Sequence, residues 1–301
     1  MDVSIIIVNY KTSTLLVQAI DSIFSKTEGI SFEIIVIDNH SQDDSERIVR
    51  EHYGNRIIYL PLLENIGFGR ANNEGIRIAC GRNILFLNPD TILKNNAVRI
   101  LSDYLDCHPD TGAVGGNLYS PDMKPNVSFN RVRPSIFDET DQAMFRLLSR
   151  LRFGRNGLFN YTGRPLEVGF IVGANLMIPG HILDKVGPFD PDFFMYYEET
   201  ELCRRIAKAG YRIMSVPSAH IVHLEGRSFT QNFDRELRSL VSRRLYFHKT
   251  HSHLYTRCAD LNYAFLTTVA WGISWVIGAK NYRIKLKQRR KILHKLKNHV
   301  V

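Results

Sequence analysis

Cysteine is scarce in this 301-residue chain: Cys80, Cys107, Cys203 and Cys258 lie far apart, which excludes a short-spaced zinc site and a disulfide framework and fits a reducing cytosol. Long hydrophobic runs are missing too. The charge-free stretch from Leu261 to Ala279 is diluted by Asn262, Thr267, Thr268 and Ser274, so it favours shallow membrane contact over spanning. No basic start, apolar core and cleavage site precede the strand-like Val3 to Val8, so no secretion signal is expected. The Asn126 and Asn160 glycan-acceptor matches are then chance. Glycine is absent from VNYKTST at Val8 to Thr14, which argues against a loop that cradles a triphosphate. Acids are absent from Lys280 onward, where nine Lys and Arg carry the whole formal excess of +9 and leave the body neutral. That distribution ranks nucleic-acid binding last and suits an anionic membrane surface.

What is present is ordinary globular composition, 44% apolar and 23% charged, enough for a substantial core and an appendage. Ser4 to Val8, Glu33 to Ile37, Arg56 to Leu60 and Asn83 to Leu87 read as strands. Leu15, Leu16, Ala19, Ile20 and Ile23, then Ile48, Val49 and His52, recur at helical spacing. This alternation predicts an α/β fold, a mostly parallel sheet with helices on both faces. Ligands bind outside the carboxyl ends of such strands, and Asn9, Tyr10, Asp38, Asn39, Glu64, Asn65, Asn88 and Asp90 collect there. Residues 117–167 lose the period and read as a substrate-facing excursion, partly helical from Asp141 to Leu151. From Asp234 to Lys249 a basic helix carries Leu237, Leu240, Val241, Leu245 and Tyr246 on one face.

Several constellations admit two explanations. Ser41 with Asp44 is a capping box that would start any helix. Asn88-Pro89-Asp90 is turn chemistry, or a strand-exit carboxylate holding a divalent cation whose other ligands are diphosphate oxygens and water. Glu198 and Glu201 on a helix share a face with Arg205, as surface ion pairs do. Beside Phe193, Phe194, Tyr196 and Tyr197, however, a carboxylate is desolvated and suited to act as a base. His220 and His223 have metal-ligand spacing without a third ligand nearby. Gly173-Ala174-Asn175 permits close ligand approach or a tight turn.

Taken in order, VNYKT, DNHSQDDS (Asp38 to Ser45), ENIGFGRANNEGI (Glu64 to Ile76), LNPDT (Leu87 to Thr91), GAN (Gly173 to Asn175), FDPDFFMYYEETELCRR (Phe189 to Arg205) and HLEGRS (His223 to Ser228) resemble glycosyltransferase family 2. The likeness is to the rhamnosyltransferase-type members of bacterial surface-polysaccharide synthesis and runs over about three quarters of the chain. It implies the GT-A fold, a catalytic domain at 1–230 (nucleotide half 1–115, acceptor half 116–230) and a helical C-terminal extension at 231–301. It implies that Val8 and Tyr10 contact the base, Tyr10 by stacking, that Asp38 bonds the pyrimidine edge, and that Asn65, Arg70 and Asn88 shape the nucleotide pocket. Asp90, with His223, would hold Mn2+ or Mg2+. Gly173, Ala174 and Asn175 would line the donor or acceptor sugar. Glu199 would be the base, aided by Glu198, although the family usually has Asp at the second position of this pair. Asn88 likewise replaces the first acid of the family's Asp-x-Asp element.

The resemblance implies an inverting transfer of a sugar, with rhamnose leading, from dTDP or UDP to a saccharide or lipid-linked acceptor. The enzyme would sit in the cytoplasm, peripheral at the inner face of the cell membrane, and a homo-oligomer is compatible with the sequence. The competing readings are a sugar nucleotidyltransferase and a membrane-tethered carbohydrate-binding scaffold without turnover.

Overall fold

The computed structural model describes residues 1–224, 232–276, 278 and 280–298. In chain order the elements are β1 (Val3–Asn9), α1 (Ser13–Lys26), β2 (Phe32–Asp38), α2 (Ser45–Tyr53), β3 (Ile58–Pro61), α3 (Phe68–Ile78), β4 (Asn83–Leu87), β5 (Thr91–Leu93) and α4 (Ala97–Cys107). There follow β6 (Thr111–Tyr119), β7 (Phe129–Asn130), α5 (Ile136–Ala143), α6 (Leu147–Phe153), β8 (Leu166–Glu167), β9 (Phe170–Ile171), β10 (Asn175–Pro179), α7 (Gly180–Val186), α8 (Glu198–Lys208) and β11 (Arg212–His223). Last come α9 (Asn232–Thr250), α10 (His253–Val276) and α11 (Lys280–Asn298). They form two compact units. Residues 1–132, 155–194 and 198–224 make the first; residues 133–154 and 195–197, with the described residues from 232 on, make the second.

The first unit is a nine-stranded sheet in the order β3-β2-β1-β4-β10-β6-β11-β5, with β8 beside β11. It is parallel through β3-β2-β1-β4, and β10 then enters antiparallel between β4 and β6. The near-continuous apolar runs of β1, β2 and β4 exist because both faces are covered. Ile5, Ile7, Ile34, Val36 and Leu85 point to the side packed by Leu16 and Ile20 of α1 and Leu101 of α4. Ile6, Ile35, Ile37, Ile84 and Phe86 point to the side packed by Ala71 of α3 and Leu202 and Ile206 of α8. A strand alternates its side chains, so one run serves two cores.

In the second unit, the helix expected over Asp141 to Leu151 is two helices. Phe145 and Arg146 stand between α5 and α6 with φ of 56° and 58°. The Asp141 carboxylate accepts from Leu148 N (2.8 Å) and Ser149 N (3.0 Å), and from Ser149 Oγ. Aspartate is poor in a helix interior because its short side chain competes for backbone N–H groups, and here it caps the next helix instead. On α9 the buried residues include Leu240, Ser242, Arg243, Tyr246 and Phe247, while Val241 is exposed. An arginine therefore stands in the row that the apolar pattern had assigned to hydrophobic side chains alone. Among the described residues, no helix is long and apolar enough to cross a membrane. Along α10, Leu261, Phe265, Ile273 and Val276 are exposed.

Candidate active site

β1 and β2 run parallel with Asn9 opposite Asp38, so their polar exits are neighbours. Asp38 is buried and its carboxylate accepts from Asn9 Nδ2 (2.9 Å), Ser41 N (3.3 Å) and Ser41 Oγ. Ser41 Oγ also accepts from Lys11 N (2.9 Å), and Thr12 Oγ1 donates to Asn9 Oδ1 (2.7 Å). Ser41 is therefore part of this web rather than a helix cap, and α2 starts later, at Ser45. Val8 lies in the core beneath, while Tyr10 is half-buried with the Lys11 ammonium 5.4 Å from its ring centroid. One strand over, Asn39 donates to Asn65 Oδ1 (3.0 Å) and accepts from Ile66 N (3.0 Å), and Asn65 Oδ1 accepts from Gly67 N (3.1 Å).

Gly67 is required by its neighbours as well as by its φ of 89°, because a Cβ there would come within 2.4 Å of Phe194 O. Phe68 N donates to that same carbonyl (2.8 Å), Arg70 Nε to Pro191 O (2.6 Å) and Asn73 Nδ2 to Phe189 O (2.8 Å). The start of α3 is thus fastened to the segment that leads toward α8.

At the end of β4, Asn88 N donates to Ala174 O (3.1 Å) and Thr91 Oγ1 to Asn88 O (2.7 Å). Asp90 is buried, and its Oδ1 lies 3.2 Å from His223 Nε2. Pairing of β5 with β11 sets Thr91 opposite His223, and Leu224 N donates to Asp90 O (2.9 Å). His220 is elsewhere, its ring edge-on to Tyr119, so the two histidines do not form a pair. Asn175 is fully buried with Oδ1 accepting from Gly116 N (2.6 Å). Gly173 faces Glu199: a Cβ there would sit 3.7 Å from Glu199 Cγ.

The three acids at the start of α8 separate by environment. Glu201 pairs with Arg205 (2.8 Å), whose guanidinium also donates to the carbonyls of Val186, Gly187 and Pro188. Glu198 is buried, and its Oε2 has no hydrogen-bond partner among the described residues. Glu199 is half-buried and accepts from Thr200 Oγ1 (3.2 Å). Burial, and secondarily the charge of Glu199, holds the Glu198 carboxyl well above the usual carboxylate range, and burial also raises Glu199. Two left-handed residues, Tyr196 (φ 71°) and Tyr197 (φ 69°), immediately precede them, a conformation costing about 1–3 kcal/mol each that non-glycine residues retain mainly at functional turns.

The profile of Glycosyl transferase family 2 matches residues 4–164, just over half of the chain. The chain belongs to glycosyltransferase family 2. It is 27% identical over 211 residues to N-acetylglucosaminyl-diphospho-decaprenol L-rhamnosyltransferase of Mycobacterium tuberculosis, covering 65% of this chain and 67% of that protein. Rhamnosyltransferase WbbL of Escherichia coli is 24% identical over 66% of this chain and 76% of its own length. In fold, the chain is similar to mannosyltransferase PcManGT from Pyrobaculum calidifontis, solved with GDP-Man and Mn2+, with a TM-score of 0.58 at 16% identity over 97% of this chain and 84% of that one. The fold is GT-A.

Glycosyltransferases of this fold call for a metal, and the donor set can be tested for fit. Among the described residues no three His, Cys, Asp or Glu side chains group as ligands. Asp90 and His223 nevertheless stand within one hydrogen bond of each other, and Asn88 Oδ1, two residues before Asp90, is an acceptor without a partner among the described residues. A carboxylate, an imidazole and an unused amide oxygen suit a hard or borderline cation that keeps oxygen ligands from substrate and water. The residues fit. Sequence reading took Ser41 for a helix cap, whereas its bonds to Asp38 and Lys11 are visible only once β1 and β2 pair. It expected Arg205 to pair with the α8 acids but not to bond the carbonyls of Val186, Gly187 and Pro188. The remainder of the HLEGRS motif, Glu225 to Ser228, lies outside the described residues.

Proposed function

We propose that this glycosyltransferase moves a sugar, rhamnose, with inversion from a dTDP- or UDP-sugar to a saccharide or lipid-linked saccharide acceptor in cell-surface polysaccharide synthesis, working at the inner face of the membrane. The observation that carries the reading is the contrast between Glu201, neutralised by Arg205, and the Glu198-Glu199 pair, in which Glu198 is buried and the half-buried Glu199 lies against Gly173. Unpaired acids raised by burial are what a general base near neutral pH requires. The names of the two rhamnosyltransferase relatives support the choice of sugar.

In this mechanism Tyr10 stacks on the base beside Val8. Asp38, oriented by Asn9 and Ser41, accepts from the pyrimidine edge, and Asn65 and Arg70 hold the wall of the nucleotide pocket. Asp90 and His223, with Asn88 Oδ1, would hold Mn2+ or Mg2+. When bound, the cation neutralises charge on the departing nucleoside diphosphate. Gly173 and Ala174, beside Asn175, leave room for a sugar against Glu199. Glu199 takes the acceptor hydroxyl proton as that oxygen bonds to the anomeric carbon. The bond from that carbon to the diphosphate oxygen breaks, and its electron pair leaves with the nucleotide. Glu198, kept protonated by burial, leaves Glu199 as the ionising member of the pair.

The test is donor hydrolysis by purified protein across UDP-, dTDP- and GDP-sugars with Mn2+, alongside Asp90→Ala. Turnover of one pyrimidine donor, abolished by Asp90→Ala, is expected. Binding without turnover, even with lipid-linked acceptors present, would instead identify a carbohydrate-binding scaffold. For membrane attachment, the support is the exposed apolar row of α10 followed by the acid-free α11.

A further inference from the structure

We infer that the turn between α5 and α6 inserts into an anionic lipid bilayer and anchors the enzyme there, a role separate from that of the basic C-terminal helix. The inference rests on the membrane-surface reading above and names the element that enters the lipid. Phe145 is 83% exposed and Leu151 77%, and Leu147 and Leu148 are exposed beside them. So much apolar surface in one short segment is unusual for a soluble face and marks an interaction site.

The projection is built rather than loose. Phe145 and Arg146 hold left-handed backbone, Arg146 N donates to Asp141 O (2.6 Å), and the buried Asp141 carboxylate fixes the first turn of α6 from beneath. An internal brace that turns a phenylalanine outward keeps it out of the core at a cost in strain, which a partner on the outside would repay.

Charge chooses the partner. Between residues 133 and 154 the acids Asp138, Glu139 and Asp141 are all buried, whereas Arg150 and Arg152 are exposed among the leucines. Apart from Gln142, the exposed side chains of the segment are therefore apolar or cationic. A second copy of the chain would bring arginine against arginine, but an anionic headgroup layer above hydrocarbon satisfies both kinds of group at once.

The experiment is co-sedimentation of the full chain with vesicles of equal phosphatidylglycerol and phosphatidylcholine, and with phosphatidylcholine alone. Three paired variants are compared with wild type: Phe145→Ser with Leu151→Ser, Arg150→Gln with Arg152→Gln, and Lys287→Gln with Lys291→Gln. Wild type is expected on the anionic vesicles. The apolar pair should lose about tenfold or more of that partitioning at every salt concentration. The arginine pair should lose less, and its deficit should fade as salt rises. All variants should keep wild-type melting and lipid-free donor hydrolysis. Wild-type partitioning by the apolar pair, with loss in the lysine pair, overturns the inference and leaves the C-terminal helix as the anchor. Failure of wild type to bind anionic vesicles overturns the membrane reading itself while leaving the transferase reading intact. A wild-type dimer in light scattering that the apolar pair abolishes, without vesicle binding, assigns the surface to a second copy and overturns it too.

Discussion

Glu198 of the catalytic unit and Glu139 of the helical unit are the same side chain at nearly the same exposure, 4% and 9%, yet they live in opposite electrostatic worlds. Both oxygens of Glu139 face Arg243, at 2.5 and 2.9 Å. That guanidinium also reaches Asp260 (2.8 Å) and packs against the rings of Phe247 and Tyr263, with centroids at 4.8 and 4.5 Å. Glu198 has an oxygen without a partner among the described residues, and its nearest charge is another carboxylate, Glu199. Burial pushes both acids up, but Arg243 pulls Glu139 back while Glu199 drives Glu198 further. The comparison teaches that burial of an acid alone says little about function. A compensated buried acid is scaffold, and an uncompensated one is held against its own stability for chemistry.

The largest effect expected along this divide is in turnover. Glu199→Gln should lower kcat by about 10²–10⁴-fold with nucleotide affinity retained, because only the proton acceptor is removed. Titration of the variant with labelled nucleotide beside steady-state assays checks this, and a change confined to KM would place the base elsewhere. In the helical unit the corresponding blow falls on stability. Arg243→Met strands Glu139 and should cost about 3–5 kcal/mol in denaturant unfolding, most of it recovered when Glu139→Gln is added.

Asp138, buried beside this network with one oxygen unpaired among the described residues, is pushed up by burial from 3.8 to about 6. Its folded-state value is raised, so its contribution is fully present below pH 3.8 and is lost as pH rises through 6. Asp138→Asn should therefore flatten that fall and leave the chain more stable at pH 7 by up to about 3 kcal/mol, read from melts across pH 4–8.

The smallest effect should be the most diagnostic. Glu198→Gln exchanges a carboxyl that burial keeps protonated for a neutral amide, so the acid limb of the pH–rate profile, set by Glu199, should stay at its wild-type position. Stability at neutral pH should rise, since a raised acid destabilises the fold once it must ionise. Loss of stability instead would put Glu198 in the same class as Glu139 and erase the distinction drawn above.

Much of the catalytic unit was legible in the chain itself. The apolar runs of β1, β2 and β4 and the polar residues at their exits need only local pattern, and Asn83–Leu87 matches the expected strand residue for residue. The helical unit was harder to read. Arg243 looks like a solvated charge on a basic helix until Glu139, 104 residues earlier, is packed against it. Likewise, Ser41 and Asp44 satisfy a capping-box pattern, but pairing of β1 with β2 brings Ser41 to Asp38 and Asn9 instead.

Sequence by itself therefore determined the alternation of strand and helix, the gathering of polar residues at strand exits, and the confinement of net positive charge to the last helix. These follow from periodicity and composition, which are local. The i,i+4 spacing of Glu201 and Arg205 on one helix was legible too. Only the tertiary structure decided the fate of the other buried acids: Glu139 meets an arginine far away in the chain, and Glu198 meets none among the described residues. The energy of a buried carboxyl depends on the charges and donors that folding brings within a few ångströms of it, and that neighbourhood is assembled from segments no local pattern connects.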